Sequence, residues 1–170
     1  MAKQFTSASA NKYLKGLQEE KDFILESEAK TCTYVLAAGE EEEPPSYSYE
    51  ETRERIDEID AHMLKIRHQL HSFNIRATLP ESKITIDEAL VKMAQLNVKK
   101  HRLASLRSRR AKERVSGGYF SREPTTPEYT YANYDIAKAD TDYREVCEEI
   151  SNLQLEIDLL NQTKTFEVEL

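Results

Sequence analysis

The chain of 170 residues has few of the residues that mark several familiar protein classes: four glycines, two cysteines and no tryptophan. Cys32 and Cys147 are isolated in the sequence, so they form neither a CxxC metal motif nor a disulfide framework. We expect two reduced thiols, with a disulfide between them as the alternative. The chain also lacks a GxSxG motif and a glycine-rich phosphate loop, which argues against the common hydrolase and nucleotide-binding folds.

Long apolar runs are missing as well. No stretch of eighteen or more residues is apolar throughout, so the sequence predicts no transmembrane segment. The first residues lack the apolar core of a signal peptide, which predicts a cytoplasmic location. The length suits one domain. We predict a single helical domain over residues 1–170, with a flexible N-terminus at residues 1–9.

Charged side chains are abundant, at 32% of the chain, and the mean hydropathy is −0.71. Together with regularly spaced aliphatic residues, this composition predicts long, well-solvated helices. The charge is segregated: residues 1–60 carry 7 basic and 15 acidic side chains, residues 61–134 carry 14 and 6, and residues 135–170 carry 3 and 10. Charges separated in this way would complement each other within the fold or bind a partner.

Two helices are predicted in the first half of the chain. The first covers about residues 10–38 and is followed by GEEEEPPSYS at residues 39–48, whose glutamates and prolines predict a solvated loop. Ser48 and Glu51 form a capping-box pattern at the start of the second helix, which ends before Pro80. Its apolar residues have heptad spacing and predict a narrow seam against another helix: Ile56, Ile59, Met63, Ile66, Leu70 and Phe73.

The third helix begins with another capping-box pattern, Thr85 with Glu88, and is predicted to run to about Val115. Its apolar residues fall on two faces, which predicts neighbours on two sides. One face holds Ile86, Leu90, Met93, Asn97, Ala104, Ser108, Ala111 and Val115, and the other holds Leu96, Leu103 and Leu106. The fourth helix covers about residues 134–161 and repeats the heptad spacing.

The last residues alternate between apolar and polar, with Phe166, Val168 and Leu170 on one side of a predicted strand. Because a lone strand is unstable, we predict that it pairs with Tyr129–Tyr134, either of the same chain or of a neighbouring copy. The predicted fold is all-α: four long, mostly antiparallel helices in a bundle of coiled-coil hairpins, with a small two-stranded β element near the C-terminus. Long helices in a short chain also predict a homo-oligomer.

The histidines and carboxylates do not form a recognisable metal or catalytic motif. His68 and His71 are spaced i, i+3, but the Glu-x-x-His motifs of helical di-metal sites are absent. Glu58 and His62 suit a hydrogen bond on a helix surface equally well. Heptad seams rarely provide the concave pocket that catalysis needs. We therefore predict no metal, no cofactor and no enzymatic activity.

The basic stretch Lys99–Arg114, in which 8 of 16 residues are Lys or Arg, bears most directly on function. As part of one helix, most of its cations would flank the leucine face and pair with acidic residues of the fourth helix or of another copy. Binding of nucleic acid is the alternative interpretation. The cations Arg102, Arg109 and Lys112 face away from the leucines and stay free for a partner. The candidate interaction surface consists of Arg102, Arg107, Arg109, Arg110 and Lys112.

Residues 116–134 contain two glycines, two prolines and five aromatic residues, and they are predicted to be non-helical. The part with the sequence EYTYANY is typical of a short strand. The aromatic residues would either cover the end of the bundle or stack on bases or sugars. They are Tyr119, Phe120, Tyr129, Tyr131 and Tyr134.

Four stretches carry a family resemblance: TIDEAL at 85–90, AKERV at 111–115, YTYANYDI at 129–136, and the closing NQTKTFEVEL. With them the chain resembles the septicolysin-like family of small bacterial proteins from about Ala10 onward. The resemblance implies a helical, cytoplasmic protein without an assigned active site, and the family name suggests a pore-forming cytolysin. No functional residue is carried over from it.

Three functional hypotheses follow from these patterns. The leading hypothesis is a non-enzymatic, self-associating helical scaffold or protein-binding module. The second is a nucleic-acid-binding module that uses the basic third helix. The third is a membrane-active protein of the kind that the family name suggests.

Overall fold

The computed structural model describes residues 2–39, 41, 43–115 and 126–170. These residues are mostly helical and form four helices and two small two-stranded sheets, so the predicted helical class is confirmed. The helices are α1 (Ser7–Thr31), α2 (Tyr49–Arg76), α3 (Ile86–Arg107) and α4 (Ile136–Thr163). The strands are β1 (Ala2–Thr6), β2 (Lys112–Arg114), β3 (Tyr129–Tyr131) and β4 (Thr165–Glu169).

The chain divides into two compact units. The first unit comprises Met1–Thr78 with Asp158–Leu170, and the second comprises Leu79–Ile157. The single helical domain over residues 1–170 stays a prediction. Among the described residues, none of the helices has a segment that is both long enough and apolar enough to span a bilayer.

In the first unit, α1 and α2 pack along their apolar seams. The seam predicted for α2 is confirmed, because Ile59, Met63 and Ile66 are buried and the other predicted positions are half-buried. The start of α1 lies beside the end of α2, and the end of α1 lies beside the start of α2, so the two helices are antiparallel. An ion pair joins the helices at the edge of the seam, with Lys21 Nζ 2.6 Å from Asp60 Oδ2.

The N-terminus differs from the flexible segment predicted for residues 1–9. Strand β1 pairs antiparallel with β4, with Phe5 opposite Phe166, and Thr6 then caps α1 through a capping box. Phe5 and Val168 are both buried in the core of the first unit. The sequence of β1, AKQFT, has one large apolar residue and no alternation, so its order comes from a partner at the far end of the chain.

The C-terminal strand itself was predicted correctly, but its predicted partner was wrong. In β4, Val168 is buried and Phe166 is half-buried, as the alternation predicts. It pairs with β1, whereas Tyr129–Tyr131 pair antiparallel with β2. A local alternation specifies a strand and its inner face, but the partner is decided by packing between segments distant in sequence.

Two helices end earlier than the sequence predicted. Helix α1 stops at Thr31, because the TYVL segment that follows has no core to pack against and Val35 is 95% exposed. Helix α3 stops at Arg107, and the chain then forms β2 instead of continuing to Val115. The hydroxyl of Tyr134 donates to the Leu106 carbonyl over 2.7 Å and satisfies one of the last carbonyls of α3.

The predicted helix starts are confirmed where capping residues were recognised. Ser48 accepts from the Glu51 N–H at 3.3 Å, and Thr85 forms a reciprocal capping box with Glu88. The N–H and hydroxyl of Thr85 donate to the Glu88 carboxylate over 2.8 and 3.0 Å, and they hold its pKa below the ordinary value. Before α4, Asp135 Oδ1 accepts from two backbone N–H groups of the first turn.

In the second unit, α3 has one buried seam instead of two covered faces. The buried residues combine Ile86 of one predicted face with Leu96 and Leu103 of the other and add Ala89, which was predicted on neither, whereas Leu90 is 47% exposed. Heptad spacing explains the difference, because a single neighbour covers positions alternately three and four residues apart. That neighbour is α4, whose acidic side chains pair with Lys92 and Arg107 of α3.

Candidate functional site

The basic stretch Lys99–Arg114 is helix, turn and strand in succession, so it is not the continuous helix that the sequence predicted. Arg102 lies on α3 and Arg107 is its last residue. Arg109 and Arg110 occupy the connection to β2, and Lys112 is the first residue of β2. All five predicted surface residues are exposed.

Arg107 is held by side chains of α4. Its Nη1 lies 2.9 Å from Asp140 Oδ1, and its guanidinium carbon lies 4.0 Å from the centre of the Tyr143 ring. Lys92 forms a comparable pair, with its Nζ 2.7 Å from Glu149 Oε1. These two contacts are the pairing with acidic residues that the sequence predicted, and they give Arg107 a structural role.

The other cations of the stretch do not share this pairing. In the part of the chain that the structure describes, no carboxylate lies within 4.0 Å of Arg102, Arg109 or Arg110, and the same holds for Lys99, Lys100 and Arg114. The hypothesis that the acidic helix neutralises the basic stretch is therefore supported only at Arg107 within this stretch.

The hairpin of β2 and β3 gathers cations and aromatic rings on one face. Lys112 lies opposite Tyr131 and Arg114 lies opposite Tyr129, so these four side chains share a face. Lys112 Nζ is 4.0 Å from the centre of the Tyr129 ring and 5.4 Å from that of Tyr131, which are cation–π distances. The tyrosines stay 42% and 62% exposed. We call Arg109, Arg110, Lys112, Arg114, Tyr129 and Tyr131 the cationic–aromatic surface.

Both edges of this hairpin lack a further strand among the described residues. The Val115 N–H donates to the Glu128 carbonyl, and the Ala132 N–H donates to the Ala111 carbonyl. These flanking pairs place Lys112, Arg114 and their partners at the alternate, non-hydrogen-bonded positions of the ladder. Their backbone N–H and C=O groups therefore point outward, where an added strand would bind.

The predicted aromatic cluster is divided by the structure. Tyr134 donates to the end of α3, whereas Tyr129 and Tyr131 are exposed on the hairpin. Tyr119 and Phe120 lie outside the described residues, as does the part of the predicted non-helical segment at 116–125. The described part of that segment, residues 126–134, contains no helix.

Glu156 on α4 has a role that the sequence analysis did not recognise. The residue is 9% exposed, and its carboxylate accepts from the N–H of Glu81 at 2.9 Å, the N–H of Ser82 at 3.1 Å, and the Ser82 hydroxyl. Burial opposes ionisation of Glu156, but these donors and the nearby Lys83 lower its pKa below the ordinary value. The turn that it holds includes Lys83 at a positive φ of 59°. The sequence signal is weak, because a buried glutamate cannot be distinguished from the many exposed ones.

Residues with metal-binding chemistry are not clustered in the described part of the chain, where no group of three or more His, Cys, Asp or Glu side chains is arranged around one point. Cys32 is exposed and Cys147 is half-buried, and both thiols are free. The absence of a metal, cofactor or catalytic function stays a prediction.

The first unit carries an acidic and apolar segment after α1. Tyr34, Val35 and Leu36 are exposed and have no regular secondary structure, and the exposed Glu41 and Glu43 follow them. The described residues of the predicted loop at 39–48 contain neither helix nor strand, whereas residues 40 and 42 lie outside the description. Tyr47 closes the segment, because its hydroxyl donates to Glu28 Oε1 over 2.5 Å.

The hydrogen bond to Glu28 raises the Tyr47 pKa to about 12. Since the neutral hydroxyl is the donor, its stabilisation is complete below the ordinary tyrosine pKa near 10 and is lost as the pH rises through about 12. We expect Glu28→Gln to return the Tyr47 pKa towards 10 in an ultraviolet titration of tyrosinate, with Tyr47→Phe identifying the signal. Glu26→Gln, on the same helix, should leave it unchanged. An unchanged Tyr47 pKa in Glu28→Gln would contradict the assignment.

Comparisons with known proteins identify a protein of similar fold but indicate no function. No family model and no curated protein matches the chain. A crystal structure from Corynebacterium diphtheriae, described as a functionally unknown conserved protein, is similar over 98% of this chain and 100% of that chain. The TM-score is 0.60 and the sequence identity is 15%, so the likeness is one of fold.

Proposed function

We propose that the protein is a non-enzymatic helical scaffold or protein-binding module that associates with itself. The observation that carries the proposal is the cationic–aromatic surface. Three of its arginines have no acidic partner among the described residues, and its two tyrosines are exposed on the paired strands β2 and β3. Arginine and tyrosine are enriched at protein interfaces, where they contribute much of the binding energy.

The distribution of charge supports self-association. The cationic surface belongs to residues 61–134, which carry an excess of basic side chains, whereas residues 1–60 carry an excess of acidic ones. Opposite charges on two surfaces of one chain favour contacts between copies, because a surface of each sign is present on every molecule. The antiparallel seam of α1 and α2 supports the finer proposal of a bundle built from coiled-coil hairpins.

Light scattering coupled to size-exclusion chromatography tests the proposal. At low ionic strength and tens of micromolar protein, we expect a mass of at least twice the 19.7 kDa of the chain. The mass should fall towards 19.7 kDa in about 0.5 M salt, because screening weakens contacts between exposed charges. A mass of 19.7 kDa under all these conditions would contradict self-association.

Single-stranded nucleic acid is the second candidate ligand. The observation that favours it is the position of Lys112 beside two exposed tyrosine rings, since phosphate pairing and base stacking use such residues. Fluorescence anisotropy with a labelled oligonucleotide would then show binding that weakens steeply with salt. Replacing Arg109, Arg110 and Lys112 by glutamine should abolish that binding at an unchanged melting temperature. If the variant still binds the oligonucleotide, this surface is not the nucleic-acid-binding site.

We also propose, from the four matching stretches in the sequence, that the protein belongs to the septicolysin-like family and is cytoplasmic. The membrane-active role that the family name suggests is tested by dye release from liposomes. We expect no release at micromolar protein, and release would overturn the scaffold proposal.

A further inference from the structure

The apolar part of the segment after α1 is exposed to an unusual degree. Val35 is 95% exposed, Tyr34 is 55% exposed and Leu36 is 37% exposed. Three consecutive large apolar residues in contact with water favour an interaction, since removing them from water is stabilising. Aromatic and β-branched residues also favour an extended backbone, which suits the addition of a strand.

The acidic part of the same segment also lacks partners. Glu41 and Glu43 are exposed, and no cation among the described residues lies within 4.0 Å of either carboxylate. The segment therefore presents apolar side chains first and carboxylates next. The cationic–aromatic surface carries a complementary feature for each of these two parts.

The tyrosine rings of that surface offer apolar area, and its arginines and Lys112 offer positive charge. The dimensions also agree. Ten residues from Tyr34 to Glu43 reach at most about 33–36 Å when extended. The hairpin ladder from Ala111 to Val115 spans about 17 Å, so one segment is long enough to cover it and the adjoining Arg109 and Arg110.

We propose that Tyr34–Leu36, together with Glu41 and Glu43, of one copy dock on the cationic–aromatic surface of a second copy. Tyr34, Val35 and Leu36 pack against Tyr129 and Tyr131, while Glu41 and Glu43 pair with the cations of the second copy. The inference rests on the proposed self-association and names the two surfaces that perform it. The interface is heterologous, because two different surfaces meet, so each copy offers one of each.

A charge exchange between two variants tests the docking. The first variant carries Arg109→Glu, Arg110→Glu and Lys112→Glu, and the second carries Glu41→Lys and Glu43→Lys. We expect each variant alone to associate at least about tenfold more weakly than the wild type, because the first sets carboxylates against carboxylates and the second removes the net negative charge that pairs with the cations. An equimolar mixture should recover association, since the unaltered acidic segment of the hairpin variant meets the unaltered cationic hairpin of the segment variant.

Two further variants separate docking from general effects. Lys65→Glu, Arg67→Glu and Arg76→Glu change the net charge as much as the hairpin variant does, but they alter exposed residues of α2. This control should associate like the wild type. Val35→Asp removes the apolar part of the contact and should weaken association without any change at the hairpin. Circular dichroism melting curves of all variants verify that each one folds.

The outcomes distinguish this inference from the proposed function. If the wild type is monomeric, both the proposed function and the docking are contradicted. Association that persists in both charge variants keeps the proposed function and overturns the docking, as does a mixture that fails to recover association. A hairpin variant that loses oligonucleotide binding but keeps self-association assigns the surface to nucleic acid and also overturns the docking. Weaker self-association of each variant alone, with recovery of self-association in the mixture, supports the docking.

Discussion

We expect Phe5→Ala to lower the free energy of unfolding of the first unit by about 3–5 kcal/mol, the range for deleting a buried aromatic ring. Phe5 is 3% exposed, and its ring centre lies 5.4 Å from that of Tyr13 and 6.4 Å from that of Phe166. The substitution leaves a cavity between β1, α1 and β4. It also removes the one large apolar side chain through which β1 is anchored. Urea denaturation followed by circular dichroism measures the loss.

A matched control lies in the same strand. Gln4 is exposed and its amide donates to Glu167 at 3.1 Å, so Gln4→Ala should change the free energy of unfolding by no more than about 0.5 kcal/mol. Hydrogen exchange of the β4 amides should accelerate in Phe5→Ala and stay slow in Gln4→Ala. Equal stability of the two variants would show that β1 is not part of the folded core.

We expect Glu156→Ala to lower the free energy of unfolding of the second unit by roughly 3 kcal/mol. The substitution leaves the N–H groups of Glu81 and Ser82 and the Ser82 hydroxyl without their acceptor, and hydrogen bonds to an ionised group contribute more than neutral ones. The turn that contains Lys83 at positive φ would then lose three of its hydrogen bonds and keep the backbone bonds between Leu79 and Ile84 and between Lys83 and Leu79. Glu148, an exposed glutamate of α4, provides the control, and Glu148→Ala should be nearly neutral.

The contribution of Glu156 should also depend on pH. Its pKa is lowered in the folded protein, so the ionised form is favoured by folding. The stabilisation is complete above the ordinary glutamate pKa of about 4.3 and is lost as the pH falls through the lower pKa of the folded state. Urea denaturation of the wild type and Glu156→Ala at a series of pH values should give curves that converge in acid. A difference independent of pH would show that the charge of Glu156 does not contribute.

The sequence predicted best where one segment carries its own signal. The cap residues Ser48 and Thr85 and the heptad seam of α2 act over a few residues, and the structure confirms each of them. The prediction was wrong where pairing between two segments decides the result. The flexible N-terminus became β1 because it pairs with β4 at the other end of the chain, and the end of the basic helix became β2 because it pairs with the next strand, β3.

The candidate site also combines features that the sequence predicts with features that depend on folding. Composition alone shows that residues 61–134 are basic and residues 1–60 are acidic, and the apolar periodicity predicts the long helices that carry them. Which cations are paired depends on folding: Arg107 contacts Asp140 and Tyr143 of α4, whereas Arg109 and Arg110 have no such neighbour in the described chain. The physical reason is that helix and strand patterns are local, whereas the neutralisation of a charge depends on side chains that only folding brings within a few ångströms.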